Sequence, residues 1–409
     1  MTAVKVLMRR LDALGGISDE PRRLTRTFCS PAMRQANDLV GDWMRDAGMT
    51  VREDAIGNII GFYPGTNRNP KTFLLGSHLD TVRNAGKFDG ALGVLLAITC
   101  IDLLNKKGKR LPFSLEVIGF ADEEGVRYQS AYLGSRVVAG TFDSRDLNRK
   151  DADGISMTQA IRDFGGNPTR LKQASMKGRA PLGYLEAHIE QGPVLDQMNL
   201  SVAVVTAITG QSRLRLVFTG KAGHAGPTPM NQRHDAFCGA AEFALAVERF
   251  ARRTSGLVAT VGQILAEPNV SNVIPGAVTV SLDVRHQKDI VRRGAAHELT
   301  RLAHTIARGR NLKLSAELIQ ETAAKPCCPT LSGVLERAVK RFQRKKLRLP
   351  SGAGHDAAVM SALTSVAMLF VRCRNGLSHH PAEAVAERDV QKALKTMSEF
   401  LRLLAKQYE

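Results

Sequence analysis

Aromatic residues are scarce in this chain of 409: they make up 5%, with a single tryptophan. Proteins that hold single-stranded nucleic acid stack bases on aromatic side chains set among cations. No DNA-binding or RNA-binding signature is present either, so no nucleic-acid partner is expected. No apolar run reaches the length of a membrane span, and no membrane partner is expected. The six cysteines are Cys29, Cys100, Cys238, Cys327, Cys328 and Cys373. None forms a C-x-x-C pair, and adjacent Cys327 and Cys328 lack the usual spacing of a zinc site. They read as free or buried thiols of a reducing compartment. Segment 1–16 is basic and amphipathic, with Val4, Val6, Leu7, Leu11 and Leu14 at helical spacing. It lacks the continuous apolar stretch and cleavage site of a secretory signal, so a cytoplasmic location is expected. Internal repeats and low-complexity linkers are also missing.

What remains is an ordinary globular composition, 44% hydrophobic, in a chain long enough for two domains. The net charge is +18. The cations are scattered. Their densest run, from Lys340 to Arg348, reads as the solvated end of a helix. Such a field steers small anions by long-range attraction. Apolar periodicity predicts a helix over 31–48, capped by Ser30 and ended by Gly48. Strand-like runs at 58–62, 72–77 and 115–121, with an apolar helix over 91–104 between the last two, predict a βαβ unit and a largely parallel sheet. After about 208 the pattern changes. Strands at 214–219, 257–264, 278–284 and 312–319, with helices over 232–253 and 288–308, follow the split βαβ order of a ferredoxin-like domain. A strand at 366–371 returns to the first pattern. The expected architecture is α/β: a mostly parallel-sheet domain of 1–208 and 327–409, with an α+β domain of 209–326 inserted into it.

Several strand-like runs end in acidic or imidazole side chains. His78 and Asp80 share a strand face, so both point at one place. A ligand histidine commonly passes its other ring N–H to a carboxylate, and Asp80 suits that role. A polar pair at a strand end is the bland alternative. Asp89 precedes Gly90 and an apolar helical run. It can cap that helix, or bridge two cations with its two oxygens. Asp122-Glu123-Glu124-Gly125 closes an apolar strand with three successive acids, which repel one another without a counter-charge. One glutamate can ligate while its neighbour accepts a proton from an activated water. Glu186, His188 and Glu190 alternate onto one face, just before Gly192-Pro193. His379 follows the late strand, with His380 as its rival. Two histidines, an aspartate and a glutamate in the first half, plus a late histidine, are what two divalent cations require.

These segments resemble those of the M20 metallopeptidase superfamily, in particular its hydantoinase/carbamoylase branch. That branch includes allantoate amidohydrolases, N-carbamoyl-L-amino acid hydrolases and β-ureidopropionases. The resemblance is carried in order by Gly76-Ser77-His78-Leu79-Asp80-Thr81-Val82, Gly86-Lys87-Phe88-Asp89-Gly90, Glu123-Glu124-Gly125-Val126-Arg127-Tyr128 and His188-Ile189-Glu190-Gln191-Gly192-Pro193. It continues through Gly223-His224-Ala225-Gly226, Asn272-Val273-Ile274-Pro275-Gly276, Asp283-Val284-Arg285-His286, Ser351-Gly352-Ala353-Gly354-His355-Asp356-Ala357 and Ser378-His379-His380-Pro381-Ala382-Glu383. It implies a di-metal catalytic domain with an inserted dimerisation or lid domain. Two divalent metal ions, zinc or manganese, would be held by His78, Asp89, Glu124, His188 and His379, with Asp89 bridging. Glu123 would be the general base, with Asp80 a further catalytic residue. His224 would reach the neighbouring subunit's site in a homodimer and stabilise the oxyanion. Gln191, Gln211, Asn272, Arg285 and His355 would hold a small ureido carboxylate substrate. Allantoate is the first substrate expected, because Gly223-His224-Ala225-Gly226 and Tyr128-Gln129-Ser130 look closest to that group. An N-carbamoyl amino acid or a β-ureido acid is the alternative, and a peptidase or deacylase a more distant one. The chain departs from the family at Pro227-Thr228-Pro229-Met230 and at Arg372-Cys373-Arg374-Asn375.

Overall fold

A computed structural model describes residues 2–409. The chain divides into two compact units. The first comprises Met1–Thr206, Cys327–Leu349 and Ala353–Glu409; the second comprises Ala207–Pro326 and Pro350–Gly352.

The first unit is built on one large sheet. Its four central strands, in spatial order, are Ser114–Phe120, Thr72–His78, Gly183–Ile189 and Val366–Val371, and all run parallel. Each is apolar almost end to end because helices cover both faces. Antiparallel strands extend the sheet on both sides: Ile59–Tyr63 and Thr50–Glu53 beyond one, Val202–Ile208 beyond the other. The apolar stripes of Ala3–Gly15, Pro31–Asp46, Pro329–Phe342 and Glu387–Ala405 join the same core. Ser30 does cap the second of these helices, accepting from the Met33 amide. The basic run near 340 is helical only as far as Phe342, and a strand starts at Arg348.

Parallel direction decides where function can sit. His78, Phe120, Ile189 and Val371 all end their strands at the same edge, so the loops that follow them emerge together. The helix Ala91–Asn105 brings a fourth segment to that edge. It is buried on all sides through its first three turns and packs on Thr72–His78 and Gly183–Ile189. Gly93 permits the close approach: a Cβ there would stand 2.1 Å from the Ala187 carbonyl oxygen and 2.9 Å from Ser77 Cβ. The residue heading this helix is Gly90, at φ +64°, and no side chain caps it. Asp89 is therefore not the cap that the sequence allowed. Its carboxylate turns away from the helix. A Cβ on Gly90 would meet the His78 ring at 2.5 Å.

The second unit carries its strands in the spatial order Lys313–Thr322, Gly210–Thr219, Ala277–His286, Val258–Glu267, all antiparallel. Helices Ala236–Arg253 and Asp289–Gly309 cover one face, where Leu216, Phe218, Val278, Val280, Leu282 and Val284 alternate inward. This is the ferredoxin-like order. The first helix starts four residues later than its periodicity predicted. Asp235 caps it, accepting from the amides of Phe237 (2.9 Å) and Cys238 (3.2 Å).

Gly93→Ala should force the helix off the sheet. Because the clash is with backbone, the expected loss is about 1–3 kcal/mol of stability. Urea denaturation checks this, and an unchanged midpoint would contradict the close packing.

Candidate metal centre

The site lies at the carboxyl edge of the parallel strands, within the first unit. His78 ends one strand and His188 is the penultimate residue of its neighbour, and both are buried. His78 Nδ1 is 3.0 Å from the Asp80 carbonyl oxygen, and His188 Nδ1 is 2.9 Å from the Ile189 carbonyl oxygen. A carbonyl only accepts, so each Nδ1 carries a proton, and in the neutral ring each Nε2 is a bare lone pair. Those two Nε2 atoms face each other at 3.4 Å. Asp89 Oδ1 stands 3.0 Å from that of His188 and 3.5 Å from that of His78. This oxygen is buried and receives no hydrogen bond. With both rings neutral, three electron-rich atoms converge, an arrangement that repels itself unless a proton or a metal cation enters.

A second group adjoins the first. His379 Nε2 lies 3.2 Å from Glu124 Oε1 and 3.5 Å from Asp89 Oδ2. In each of the sets His78–Asp89–His188 and Asp89–Glu124–His379, the ligand atoms lie within 4.8 Å of one another, and Asp89 belongs to both. Two ligands of a tetrahedral ion bound at about 2.1 Å stand about 3.4 Å apart. The observed separations scatter closely about that value. The donors are imidazole and carboxylate only, which suits zinc and manganese alike.

The titration behaviour expresses the same demand. Burial opposes charge on His78, yet the adjacent carboxylates of Asp80 and Asp89 hold its pKa well above the usual value. Burial also opposes charge on His188, and Asp89 raises its pKa. Burial would raise the Asp89 pKa, but the two imidazoles pull it well below the carboxylate range. Glu123 moves the other way. Burial drives its pKa well up; His78 opposes this and Glu124 reinforces it.

Around this pair the structure brings together most of the residues expected from the first unit. Asp80 holds the acidic loop: its Oδ1 accepts from the Glu123 amide (2.9 Å) and its Oδ2 from the Glu124 amide (3.1 Å). Its carboxylate also lies 3.4 Å from His78 Nδ1, but its own backbone carbonyl is nearer. The expected carboxylate–histidine contact is thus shared with the backbone. Gln191, at φ +57°, donates to Asp89 Oδ2 at 2.8 Å. His355 packs edge-on against His188 with ring centroids 4.4 Å apart, and burial keeps its pKa well below the usual value. His379 sits at φ +56°, a strained conformation of the kind that collects at functional sites. His380 joins neither set; it is exposed and accepts from the Ala382 amide. Arg372, in a segment that departs from the family, forms a buried bidentate pair with Asp389 at 2.9 and 2.8 Å.

Three supporting residues were given no role from sequence. Ser378 donates to Asp89 Oδ2 at 2.6 Å. Glu383 accepts from the amides of Phe88 (2.8 Å) and Asp89 (3.1 Å), fixing the loop that carries the aspartate. Burial raises its pKa to about 7, with Asp89 adding to the effect. Glu186 takes hydrogen bonds from Ser77, Tyr184 and the Ala357 amide. The signal for Glu186 was its shared strand face with His188, and for Glu383 its fixed distance from His379.

The remaining predicted residues belong to the second unit and fall into two places within it. Gln211 and Arg285 are directly opposed on adjacent strands. His224 pairs with Val273 in a short ribbon, and the Ala225 amide donates to the Asn272 carbonyl, so His224 and Asn272 stand together. The strand Ala277–His286 separates the two places. From Ala277 to Arg285 that is roughly 26 Å at the rise of a strand.

Comparison with known proteins agrees with this geometry. The model of Peptidase family M20/M25/M40 matches residues 74–403. An N-carbamoyl-L-amino acid amidohydrolase of Geobacillus stearothermophilus is 41% identical over 94% of this chain and 94% of its own length. An allantoate deiminase of Arabidopsis thaliana is 40% identical over 96% of this chain and 81% of its own. A crystal structure of an amidase of the hydantoinase/carbamoylase family from Burkholderia multivorans superposes with a TM-score of 0.92, at 31% identity and 97% coverage of both chains.

Proposed function

The chain belongs to Peptidase family M20/M25/M40, and from that premise we propose that it is an amidohydrolase cleaving the ureido C–N bond of a small carboxylate. The observation that supports this best is the meeting of two bare imidazole nitrogens and one bare carboxylate oxygen beside a buried glutamate. Two divalent cations, zinc or manganese, held by His78, Asp89, Glu124, His188 and His379, would polarise the ureido carbonyl and acidify a water. Glu123 takes the proton of that water and delivers it to the leaving nitrogen. Its burial suits both steps, because a raised carboxylate pKa lets one group accept and then donate near neutral pH. Asp80 keeps Glu123 and Glu124 in place through their amides. Asp89 would serve both ions, and Gln191 and Ser378 fix its Oδ2. Cleavage yields an amine and a carbamate, which breaks down to carbon dioxide and ammonia.

Allantoate is the first substrate, on the motif similarity around His224 and Tyr128. N-carbamoyl-L-amino acids stand beside it, because the Geobacillus relative carries that activity in its name. Arg285 is the group suited to the substrate carboxylate, since a guanidinium can meet both oxygens at once. His224 and Asn272 would approach the carbonyl oxygen.

A homodimer is part of the proposal, and the spacing of two residues supports it. Arg285 lies eight residues, roughly 26 Å of strand, from Ala277, whereas His224 pairs with Val273, which precedes that end of the strand; this length is well beyond the span of a ureido acid. If both touch one substrate, they come from different copies of the chain. The edge strand Val258–Glu267 offers a pairing surface: it carries no charge before Glu267 and exposes Val258, Ile264 and Leu265 by more than half.

Two experiments test this. Ammonia release is measured from allantoate, N-carbamoyl-L-amino acids and a dipeptide, with zinc and with manganese. Turnover of a ureido acid is expected, with Glu123→Gln retaining metal and losing about 100-fold or more in kcat. Cleavage of the dipeptide alone, or an unchanged kcat, would contradict the proposal. In the second, His224→Ala and Glu123→Gln proteins, each inactive, are dissociated and mixed. Random pairing should restore about a quarter of wild-type activity. No recovery in pairs shown to be mixed would refute action across subunits.

A further inference from the structure

Arg285 does not face its surroundings freely. Its Nε and Nη2 donate to Asp283 Oδ1 and Oδ2 at 3.0 and 3.1 Å, and its Nη1 donates to the Gly352 carbonyl at 2.7 Å. Asp283 and Arg285 are two apart on one strand and share the sheet face that no helix covers. The same carboxylate gathers two more donors from the adjacent strand. Gln211 Nε2 approaches Oδ2 at 2.6 Å and Arg213 Nε at 3.2 Å. Register explains the gathering: Asp283 lies opposite Arg213, and Arg285 opposite Gln211.

The donors can be counted. A guanidinium has five N–H groups, and three of those on Arg285 are engaged. One N–H remains on Nη1 and one on Nη2. Two guanidinium charges against one carboxylate leave the cluster a net cation. Resting on the reading of Arg285 as the carboxylate-binding group, we propose that Asp283 is a positioning residue. It occupies the Nε side of the Arg285 fork and so presents the two terminal nitrogens to the substrate carboxylate. Gln211 then acts through Asp283 rather than on the substrate, because its amide N–H is directed at that carboxylate. The consequence is selectivity. A fixed pair of N–H groups favours a planar two-oxygen anion over a neutral carboxamide, which offers only one acceptor oxygen. A freely turning arginine discriminates less.

The test uses the metal-loaded, full-length enzyme with a turned-over ureido acid and its carboxamide analogue. Arg285→Ala is expected to raise KM for the acid about 100-fold and to leave the carboxamide nearly unaffected. Asp283→Asn is expected to raise KM for the acid about 10-fold with kcat within about twofold and the carboxamide KM unchanged. Combined with Arg285→Ala, it should add nothing further, the mark of one shared function. Gln211→Ala should reproduce the Asp283→Asn effect in weaker form. If Arg285→Ala fails to separate acid from carboxamide, the carboxylate reading falls and the inference with it. If Arg285→Ala separates them but Asp283→Asn leaves the acid KM unchanged, or raises both KM values equally, only the positioning role is overturned. Circular dichroism and metal content of each variant identify a folding failure. In that event Asp283→Glu, which keeps the charge and moves its place, should shift KM for the acid alone, and no shift overturns the inference.

Discussion

Positive charge is what the centre of this molecule requires, and among the described residues no arginine or lysine pairs with its central aspartate. The two imidazoles are turned by backbone carbonyls so that their bare nitrogens face inward. The aspartate between them is denied a helix to cap and a donor for one oxygen. No arginine or lysine forms an ion pair with Asp89 among the described residues; its ion-pair partners there are histidines. In low dielectric surroundings such a convergence is strongly unfavourable on its own and strongly favourable around a cation. The convergence of ligand atoms, the raised pKa of Glu123 and the tight packing at Gly90 and Gly93 are aspects of that one arrangement.

Strand direction makes the arrangement possible. Four parallel strands end at one edge, so residues more than a hundred positions apart in the chain arrive within hydrogen-bonding distance. The helix after Asp89 closes the group, because Gly93 lets it lie against the Ala187 carbonyl. The second unit follows a different logic. Its helices protect one face of an antiparallel sheet, and the other face carries the polar residues Gln211, Arg213, Asp283 and Arg285. The chemistry we propose uses the buried groups of the first unit, and the anion recognition we propose uses this polar face of the second.

Much of this was legible in the sequence, for reasons that can be named. Buried parallel strands leave continuous apolar runs, and a two-layer sheet leaves alternation; both patterns located their strands to within a few residues. Acids and histidines at the ends of apolar runs marked the site, since such groups are otherwise disfavoured there. Three features were less legible. Asp89 looked equally suited to capping a helix, because local spacing cannot tell which of two adjacent residues takes the left-handed conformation. The nearer acceptor of the His78 N–H proved to be a backbone carbonyl, which has no signature in side-chain types. The hold of Asp283 on Gln211 and Arg213 depends on register between strands some 70 residues apart in sequence, and only the folded sheet reveals it.

The central claim concerns cations, and the most direct measurement is anomalous scattering from crystals of the metal-replete enzyme, recorded at the zinc and manganese edges. The account predicts two peaks per chain on either side of Asp89, one beside His78 and His188 and the other beside Glu124 and His379. Peaks at other side chains, or none in protein that hydrolyses its substrate, would contradict it.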